Sequence, residues 1–402
     1  MKIFQISSEL NSGSVGRIAE QIGEAVINKG WKSYISYARD SQPTKSESFK
    51  IGNKIDLIKH GILTRLTDRH GFGSGEATRH LIKTIEYIKP DIIHLHHMHG
   101  YFINIEILFS FLAVAKIPIV WTFHDCWSFT GHCAYYEYIG CEKWKIQCEN
   151  CPQTKEYPKS LFDNSFKNYN DKKRIFNSIE NLTIVPVSEW LGAETKKSFL
   201  SKNKICVIQN GIDVEKFNIQ HNAGEIKEKL GVTDEFLILG VASPFNKRKG
   251  YEYFIELSKK LSTRCKIILV GLTPSQLKTL PSHILGFERT ESIKELAGFY
   301  SAADVFFNPT LEEALGLTNI EALACGTPVV TFRSGGSPET IDNTTGFTVE
   351  KGDITAAINC FAQIQQNGKA YYQQKCRKRA EQKFNKNINY LKYIDLYESL
   401  LK

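Results

Sequence analysis

The chain lacks any hydrophobic run long enough to cross a membrane. A spanning helix needs about 20 consecutive apolar residues, and no stretch of the 402 residues approaches that length. The first ten residues, MKIFQISSEL, have the pattern of a strand and contain no long apolar run of the kind found in signal peptides. These two absences predict a protein that stays in the cytoplasm.

Two further features are missing, and each absence argues against one class of function. Lysine and arginine exceed aspartate and glutamate only by 51 to 43, without a dense basic patch, so we expect no nucleic-acid partner. The glycines of the first predicted loop, Gly13 and Gly16, do not complete a G-x-G-x-x-G motif. A dinucleotide cofactor is therefore poorly supported.

The pattern that is present is that of an α/β protein. With 42% hydrophobic residues the chain can bury large cores, and its length predicts two domains, or three. Short apolar runs alternate with amphipathic stretches, which is typical of doubly wound parallel sheets. We expect two Rossmann-like halves.

The expected strands follow from the apolar runs. In the first half they are Lys2–Ile6, Ser33–Tyr37, Asp91–Leu95, Ile117–Phe123, Thr183–Val187 and Ile205–Ile208. In the second half they include Phe236–Val241, Lys266–Val270 and Asp304–Phe307. A glycine loop, Ser7–Arg17, is expected between the first strand and a helix over Ile18–Asn28.

The most informative stretch is Asn308–Val330, NPTLEEALGLTNIEALACGTPVV. Its pattern predicts a strand end, a turn, an amphipathic helix that stops at Gly326-Thr327-Pro328, and the start of another strand. Free N–H groups at the helix start would face the carboxyl end of the sheet, where the helix dipole favours an anion. These groups belong to Gly316, Leu317 and Thr318.

Two carboxylates bracket that anion site. Glu313 precedes the predicted helix, and Glu321 follows eight residues later. At 1.5 Å per helical residue they are up to roughly 12 Å apart, a span that suits a nucleotide sugar with its pyrophosphate at the helix start. Two surface glutamates on an amphipathic helix would have the same spacing, so the surrounding residues must decide.

Those surroundings, E-A-L-G-L-T-N-I-E-A-L-A-C-G-T-P-V-V, resemble the E-x7-E signature of retaining glycosyltransferases of family 4 with the GT-B fold. The resemblance assigns Glu313 to the donor sugar and Glu321 to the ribose. It implies two Rossmann-like domains facing a central cleft and a nucleotide-diphosphate sugar as co-substrate. It also implies that no catalytic metal is required, because the helix dipole and basic side chains stabilise the leaving diphosphate.

The same resemblance gives the domain boundaries and further donor contacts. Residues 1–209 would form the acceptor domain, 210–385 the donor domain, and a last helix within 386–402 would cross back to the first domain. Lys249 matches the family's phosphate-binding lysine, while Ser243 stands at or beside the family's arginine position, so Arg248 is expected to supply that contact. The glycine loop with Gly16 is expected to face the donor phosphates or the acceptor.

Histidines gather after two predicted strands. The T-x-H-D element at residues 122–125 again resembles the family, and His124 is our preferred site residue in the first domain, in contact with donor or acceptor. A purely structural histidine is the alternative. The cluster His94, His96, His97 and His99 alternates along a strand, which places it on two faces and argues against one shared metal site.

Residues 126–152 form a cysteine-rich insertion. Cys133, Cys141, Cys148 and Cys151 follow C-x7-C-x6-C-x2-C, and the final C-x-x-C is a zinc-chelating spacing. Because disulfides are rare in a reducing cytoplasm, a structural zinc ion and four ordinary thiols are the alternatives. With the preceding IHLHHMHGYFIN, the insertion resembles glycosyltransferases that assemble colanic-acid-like exopolysaccharides and capsules.

The stretch 56–83 interleaves apolar side chains with Lys59, Arg65, Arg69, Arg79 and Lys83. Such a stretch either lies on an anionic membrane surface or forms an ordinary surface helix. The combined hypothesis is a retaining transferase that acts on a glycan or an undecaprenyl-type lipid-linked acceptor, with possible peripheral membrane contact. A nonhydrolysing nucleotide-sugar epimerase of the same fold and a zinc-stabilised binding protein are the rivals.

Overall fold

The computed structural model describes residues 1–220, 223–232 and 234–402. They form two compact units, one of Met1–Gln209 with Tyr390–Lys402, and one of Asn210–Asn389. Each unit contains one sheet in which all strand pairs are parallel. The expected α/β class with two doubly wound sheets is confirmed.

The first unit has seven strands in the order β3-β2-β1-β4-β5-β6-β7. They are β1 (Lys2–Ile6), β2 (Lys32–Tyr37), β3 (Glu47–Lys50), β4 (Ile92–Leu95), β5 (Ile119–Phe123), β6 (Leu182–Pro186) and β7 (Lys204–Ile205). Its first six helices are α1 (Gly13–Asn28), α2 (Lys54–Thr67), α3 (Gly75–Ile88), α4 (Ile105–Val114), α5 (Ser165–Phe176) and α6 (Glu189–Lys197).

In the described part of the second unit, the sheet has six strands in the order β10-β9-β8-β11-β12-β13. They are β8 (Phe236–Val241), β9 (Cys265–Val270), β10 (Ile284–Phe287), β11 (Val305–Asn308), β12 (Val329–Phe332) and β13 (Gly346–Val349). The helices are α7 (Ala223–Lys229), α8 (Tyr251–Lys260), α9 (Pro274–Lys278), α10 (Ile293–Ala302), α11 (Leu317–Ala324), α12 (Ile354–Asn367), α13 (Lys369–Phe384) and α14 (Lys386–Asn389). A final helix, α15 (Leu391–Leu400), belongs to the first unit.

The sequence predicted the buried strands because both faces of a parallel sheet are covered, so each strand is a continuous apolar run. Strands β1 and β8 have the predicted bounds, and most others differ by one or two residues. The predicted strand Ile205–Ile208 is wrong in extent, since only Lys204 and Ile205 pair with β6. Strand β3 was missed because it is a mostly exposed edge strand without an apolar pattern.

The predicted glycine loop is wrong from Gly13 onward, because α1 begins there rather than at Ile18. Gly16 is therefore a buried helical residue and not part of a loop. A Cβ at Gly16 would lie 3.0 Å from the Glu9 carbonyl oxygen. Glycine at this position lets the short connection after β1 pack closely against the first turns of α1.

Helix α15 packs on the first sheet through two buried tyrosines. The Tyr397 hydroxyl lies 2.6 Å from His94 Nδ1, and the Tyr393 hydroxyl lies 3.0 Å from Thr122 Oγ1. His94 Nε2 is in turn 2.7 Å from Thr122 Oγ1. His94 is thus a structural residue that links β4, β5 and α15. Over the ranges the structure describes, we find no helix with the length and apolarity needed to span a bilayer.

Candidate active site

In both sheets the predicted site residues follow the carboxyl ends of strands, at or next to the point where strand order reverses. This point lies between β1 and β4 in the first unit and between β8 and β11 in the second. Doubly wound sheets bind ligands outside the strand ends at this position, because the neighbouring connections diverge there. His124 follows β5, and the turn before Glu313 follows β11.

Glu313 and Lys249 form an ion pair in the second unit. Glu313 Oε2 lies 2.6 Å from Lys249 Nζ, and both side chains are partly buried. The loop that carries Lys249 is held against the end of β11, since Leu311 N–H donates to the Arg248 carbonyl at 2.9 Å. Gly250 has φ +74°, and a Cβ there would lie 2.2 Å from the Pro309 carbonyl oxygen. A residue with a side chain would therefore push the lysine loop away.

The backbone of Glu313 is fixed by a glycine pair from a later loop. Gly336 N–H donates to the Glu313 carbonyl at 3.0 Å. Gly335 has φ +49°, and a Cβ there would come within 1.8 Å of the same oxygen. The sequence indicated a turn at these glycines but not that they hold Glu313, because the contact joins residues 23 positions apart in the chain.

Helix α11 begins at Leu317, two residues later than the apolar pattern from Leu315 suggested. Gly316 precedes it with φ +96°, a left-handed conformation that favours glycine. The first N–H groups of a helix have no acceptor within it, and Leu317 and Thr318 are only partly buried. The helix start therefore has the properties predicted for an anion site, although ligand binding there stays a prediction.

Glu321 lies on the second turn of α11 and is oriented by Tyr300. The Tyr300 hydroxyl donates to Glu321 Oε2 at 2.9 Å. Burial and the neighbouring Glu321 carboxylate raise the pKa of Tyr300, so the hydroxyl remains a donor. Sequence analysis did not indicate this partner, because Tyr300 looks like one more apolar residue of α10.

A buried amide network supports α11 from below, and the sequence analysis missed it. Asn319 Nδ2 donates to Ser337 Oγ at 2.9 Å and to Thr340 Oγ1 at 3.0 Å. Asn319 Oδ1 accepts from Asn308 Nδ2 at 2.8 Å. These bonds tie the end of β11 and the segment 337–340 to the helix. The sequence contained one sign of this network, because Asn319 is a polar residue on the apolar face of the predicted helix.

Arg248, the expected substitute for the family's arginine, faces a buried carboxylate. Its Nε lies 3.8 Å from Glu312 Oε2, and the Glu312 side chain is 2% exposed. Arg248 itself is about one-third exposed. Its predicted contact with a diphosphate stays a prediction.

His124 in the first unit ends a chain of hydrogen bonds that starts at Gln5. Gln5 Nε2 donates to the Ala19 carbonyl at 2.9 Å, which leaves Gln5 Oε1 as the acceptor for His96 Nε2 at 2.9 Å. His96 Nδ1 must then accept, and His124 Nε2 lies 3.3 Å from it. We assign the proton of His124 to Nε2, so that Nδ1 carries the free lone pair.

The assignment requires neutral imidazoles, and burial provides them. Burial, with His97 and His96 nearby, lowers the pKa of His124 well below its ordinary value. Burial, with His94 and His97, does the same to the pKa of His96. Both rings are therefore uncharged at neutral pH, and the direction of the hydrogen bonds is set by Gln5.

The histidine cluster divides into two pairs, as its alternation predicted. The His94 and His96 ring centroids lie 4.2 Å apart, and those of His97 and His99 also lie 4.2 Å apart. Asp125, however, joins the second pair, since its Oδ2 lies 3.1 Å from His97 Nε2 and 2.7 Å from His99 Nε2. Among the described residues, this is the only group of three or more possible metal ligands whose donor atoms all lie within 4.8 Å of one another.

Asp125 is satisfied within this group. Burial raises its pKa, but His99 and His97 more than offset that effect, so the pKa lies well below its usual value. The carboxylate also accepts from Trp127 N–H at 2.9 Å, and His99 Nδ1 lies 2.9 Å from the Tyr157 hydroxyl. The sequence did not place Asp125 with these histidines, because β4 and β5 are brought together only by the sheet.

The four cysteines of the insertion surround one small cavity. The cavity has a volume of about 20 Å³, and Cys133, Cys141, Cys148 and Cys151 all line it. All four are free thiols. The structure therefore brings the predicted ligands together, while zinc binding itself stays a prediction.

A much larger cavity, of about 1050 Å³, lies at the opposite edge of the first sheet. Pro118, Leu182 and Lys204 in its lining precede or begin strands β5, β6 and β7. The amino ends of parallel strands are not where doubly wound folds bind substrates, and none of the predicted site residues lines this cavity. We therefore place the chemistry at the carboxyl ends despite the difference in volume.

Two family models and one relative match large parts of the chain. A family model described as Glycosyltransferase Family 4 matches residues 15–216, and one described as Glycosyl transferases group 1 matches residues 235–367. A putative colanic acid biosynthesis glycosyl transferase, WcaC of Escherichia coli K12, is 24% identical over an alignment of 376 residues that covers 89% of each chain.

Two solved structures have the same fold. Sucrose-phosphate synthase from Thermosynechococcus elongatus has a TM-score of 0.73 at 18% identity, over 99% of this chain and 98% of its own. Anabaena HepE, solved in complex with UDP, has a TM-score of 0.70 at 16% identity, over 99% of both chains. Two parallel sheets of this order define the GT-B class of glycosyltransferases. The chain belongs to glycosyltransferase family 4.

Proposed function

We propose that the protein transfers a sugar, with retention of anomeric configuration, from a nucleotide-diphosphate donor to a glycan or lipid-linked acceptor. The observation that carries the proposal is the Lys249–Glu313 pair at 2.6 Å beside the start of α11. An ammonium group and helix N–H groups suit a diphosphate, and a carboxylate suits sugar hydroxyls. Glu321, oriented by Tyr300, is assigned to the ribose.

The class of substrate is supported by the relatives. The name of WcaC refers to colanic acid biosynthesis, and HepE was solved with UDP. We accordingly assign this protein to surface polysaccharide assembly on the cytoplasmic side of the membrane, with an undecaprenyl-type lipid-linked acceptor. The donor is a nucleotide-diphosphate sugar, and the titration described below identifies its base and its sugar.

The proposed chemistry requires no catalytic cation. Lys249, Arg248 and the dipole of α11 stabilise the charge that develops on the leaving diphosphate. The leaving phosphate takes the proton of the acceptor hydroxyl as the new bond forms on the same face of the sugar. His124 accepts a hydrogen bond from a sugar hydroxyl through Nδ1, and Gln5 and His96 position it.

Calorimetric titration of the full chain with a panel of nucleotides and nucleotide sugars tests this function. We expect one nucleoside diphosphate and its sugar conjugate to bind, and the bound conjugate to be consumed by transfer or slow hydrolysis with the nucleoside diphosphate as product. Formation of an epimeric nucleotide sugar would instead identify the epimerase. Absence of binding across the panel would favour the zinc-stabilised binding protein.

The role of Gln5 can be tested through the pH dependence of the rate. Gln5→Glu keeps an acceptor for His96 but adds a negative charge, which raises the pKa of a neighbouring imidazole. Protonated His96 can no longer accept from His124, so the rate should fall as the pH decreases. We expect kcat/KM of the parent enzyme to be flat between pH 6 and 8, and that of Gln5→Glu to fall on the acid side.

Gln21→Glu, on the partly buried face of α1, is the matched control for an added charge. Its pH profile should match that of the parent enzyme. If Gln5→Glu also gives the parent profile with unchanged kcat, the hydrogen-bond chain from Gln5 does not position His124.

We also propose that helix α2 rests on an anionic membrane surface. Of its residues only His60 and Thr64 are buried. Five large apolar side chains of α2 are instead exposed by 37% to 62%, namely Ile55, Ile58, Ile62, Leu63 and Leu66. Exposed apolar surface on this scale marks an interaction site, and Lys54, Lys59 and Arg65 add charge that attracts anionic headgroups.

The predicted basic stretch contributes only in part to this α2 surface. Arg69 is engaged with Asp171 at 2.7 Å, and Leu81 is buried in α3. Leu161 and Phe162, which the sequence analysis did not include, are more than 60% exposed. They adjoin the end of α2, since Leu161 N–H donates to the Arg65 carbonyl at 2.8 Å.

Changing Ile58 and Ile62 together to aspartate should weaken binding to phosphatidylglycerol vesicles by at least about tenfold. Burying a large apolar side chain contributes about 1.5–3 kcal/mol, and the aspartates add repulsion. Flotation or sedimentation with vesicles measures the change. Val114→Asp, at an exposed position on α4, should bind as the parent does. Equal binding of the double variant and the parent would rule out this surface.

A further inference from the structure

His132 has a buried ring nitrogen that the cysteine pattern does not explain. Its side chain is fully buried, and Nε2 has no hydrogen-bond partner among the described residues. A buried polar atom without a partner costs roughly 1–3 kcal/mol, so native proteins rarely retain one without a reason. His132 also lines the cavity that the four cysteines surround.

Asp68 fixes the orientation and the tautomer of this ring. His132 Nδ1 lies 2.5 Å from Asp68 Oδ1, and both side chains have no exposed surface. Asp68 Oδ2 is held by Asn164 N–H at 2.9 Å. A histidine that donates one nitrogen to a carboxylate and offers the other is the arrangement found at metal sites.

One cysteine of the cavity accepts a backbone hydrogen bond at its sulfur. Gly131 N–H donates to Cys148 Sγ at 3.2 Å. Hydrogen bonds of this kind stabilise the anionic sulfur that binds zinc.

A buried lysine supplies compensating charge. Lys172 Nζ donates to the Trp127 carbonyl at 2.8 Å and the Thr130 carbonyl at 3.1 Å. Burial lowers its pKa to about 7, while the nearby Cys148 and Cys133 favour the charged form. Zinc with three thiolates and one neutral imidazole has a net charge of minus one, and the buried Asp68 carboxylate adds another negative charge. The Lys172 ammonium group offsets part of this charge.

We propose that this cavity binds one structural zinc ion through His132 Nε2 and the thiolates of Cys133, Cys148 and Cys151. Four protein ligands close a tetrahedral site, and a volume of about 20 Å³ accommodates a single ion. No three of these donor atoms lie within 4.8 Å of one another. Zinc binding therefore requires these side chains to move closer to one another than they lie in this structure.

The proposed ion would hold the insertion next to the candidate active site. The insertion begins directly after Asp125, and Trp127 N–H donates to Asp125 Oδ1 at 2.9 Å. The site is separate from the His97, His99 and Asp125 group and goes beyond the proposed transfer reaction. Its test accordingly uses metal content and spectroscopy, which do not depend on catalysis.

The full chain, purified without added metal, should contain about one zinc ion per molecule by mass spectrometry. X-ray absorption at the zinc edge should show three sulfur ligands near 2.3 Å and one nitrogen ligand near 2.0 Å. His132→Gln and Cys148→Ser should lose the ion. Asp68→Asn should keep the ligands but bind zinc roughly 10–100-fold more weakly.

Cys141→Ser is the matched control, because Cys141 lines the same cavity but is not among the proposed ligands. It should retain one zinc ion. Four sulfur ligands in the wild-type spectrum, or zinc lost from Cys141→Ser and kept in His132→Gln, would overturn the assignment of His132. A wild-type chain without zinc would overturn the site altogether. The spectrum of the unaltered chain decides between these results even if a variant fails to fold.

Discussion

Changing Glu313 to glutamine is expected to lower kcat by about 10²-fold or more, with a smaller change in donor binding. The carboxylate lies 2.6 Å from Lys249 Nζ, and its backbone is held by Gly336 at 3.0 Å, so its position is fixed before substrate binds. Removing one preorganised electrostatic group typically costs 10² to 10³ in rate. An interaction that strengthens in the transition state is expressed in kcat, whereas uniform binding is expressed in KM.

Single-turnover and steady-state kinetics with the identified donor measure this loss. Glu288→Gln removes a charge from an exposed loop of the same unit and should retain parent activity. A Glu313→Gln enzyme with parental kcat and raised KM would show that Glu313 only binds the donor. Transfer by the parent enzyme should persist in EDTA, and a loss restored by Mg²⁺ or Mn²⁺ would contradict the metal-free mechanism.

EDTA would also remove metal from two other candidate sites, so the control must distinguish that effect from the loss of a catalytic cation. The His97, His99 and Asp125 group has donor atoms within 4.8 Å of each other, and the proposed zinc would stabilise the insertion. A melting curve recorded in EDTA shows whether lost activity reflects unfolding. Restoration by Zn²⁺ alone, together with restored melting temperature, would assign the effect to structure and not to the transfer step.

Changing Glu321 to alanine is expected to weaken donor binding by about 1–3 kcal/mol, or roughly 5- to 150-fold in Kd. The physical reason is the loss of hydrogen bonds to the ribose in a partly buried site. The sequence alone suggested that this change leaves the fold intact. The structure predicts that the change also lowers the stability of the fold, because the fully buried Tyr300 hydroxyl donates to Glu321 at 2.9 Å and would lose its acceptor.

Two companion variants separate these effects. Glu321→Gln keeps an acceptor for Tyr300 and should lose donor affinity with little change in melting temperature. Tyr300→Phe removes the internal hydrogen bond while leaving the carboxylate, and it should alter stability more than affinity. Unchanged donor affinity in both Glu321 variants, measured by calorimetry, would reject the ribose assignment.

The local signals in the sequence were reliable where one element contains the whole pattern. The stretch Asn308–Val330 predicted strand, turn and helix in order, and the structure has β11, α11 and β12 there. Buried parallel strands were predicted within one or two residues because both of their faces are apolar. The division of the histidine cluster into two pairs followed from the alternation of side chains along a strand.

One error was local: Gly13 and Gly16 suggested a loop, but helix α1 begins at Gly13. Other errors occurred where a residue's role depends on a distant partner, and ionic and hydrogen-bonded pairs were missed for this reason. Asp125 meets His97 and His99 only because β4 and β5 are neighbours in the sheet.

By itself, the sequence determined the α/β class, the order of the elements, and the E-x7-E helix, because hydrophobic periodicity and turn residues act over a few positions. Only the tertiary structure decided which groups touch. It joined Asp68 to His132 across 64 residues, Gln5 to His96 across 91, and Lys249 to Glu313 across 64. Residues so far apart in the chain are brought into contact by the order of the strands and the packing of the helices. No local sequence pattern encodes these contacts. The contacts determine the charge, the tautomer and the position of the side chains in the site.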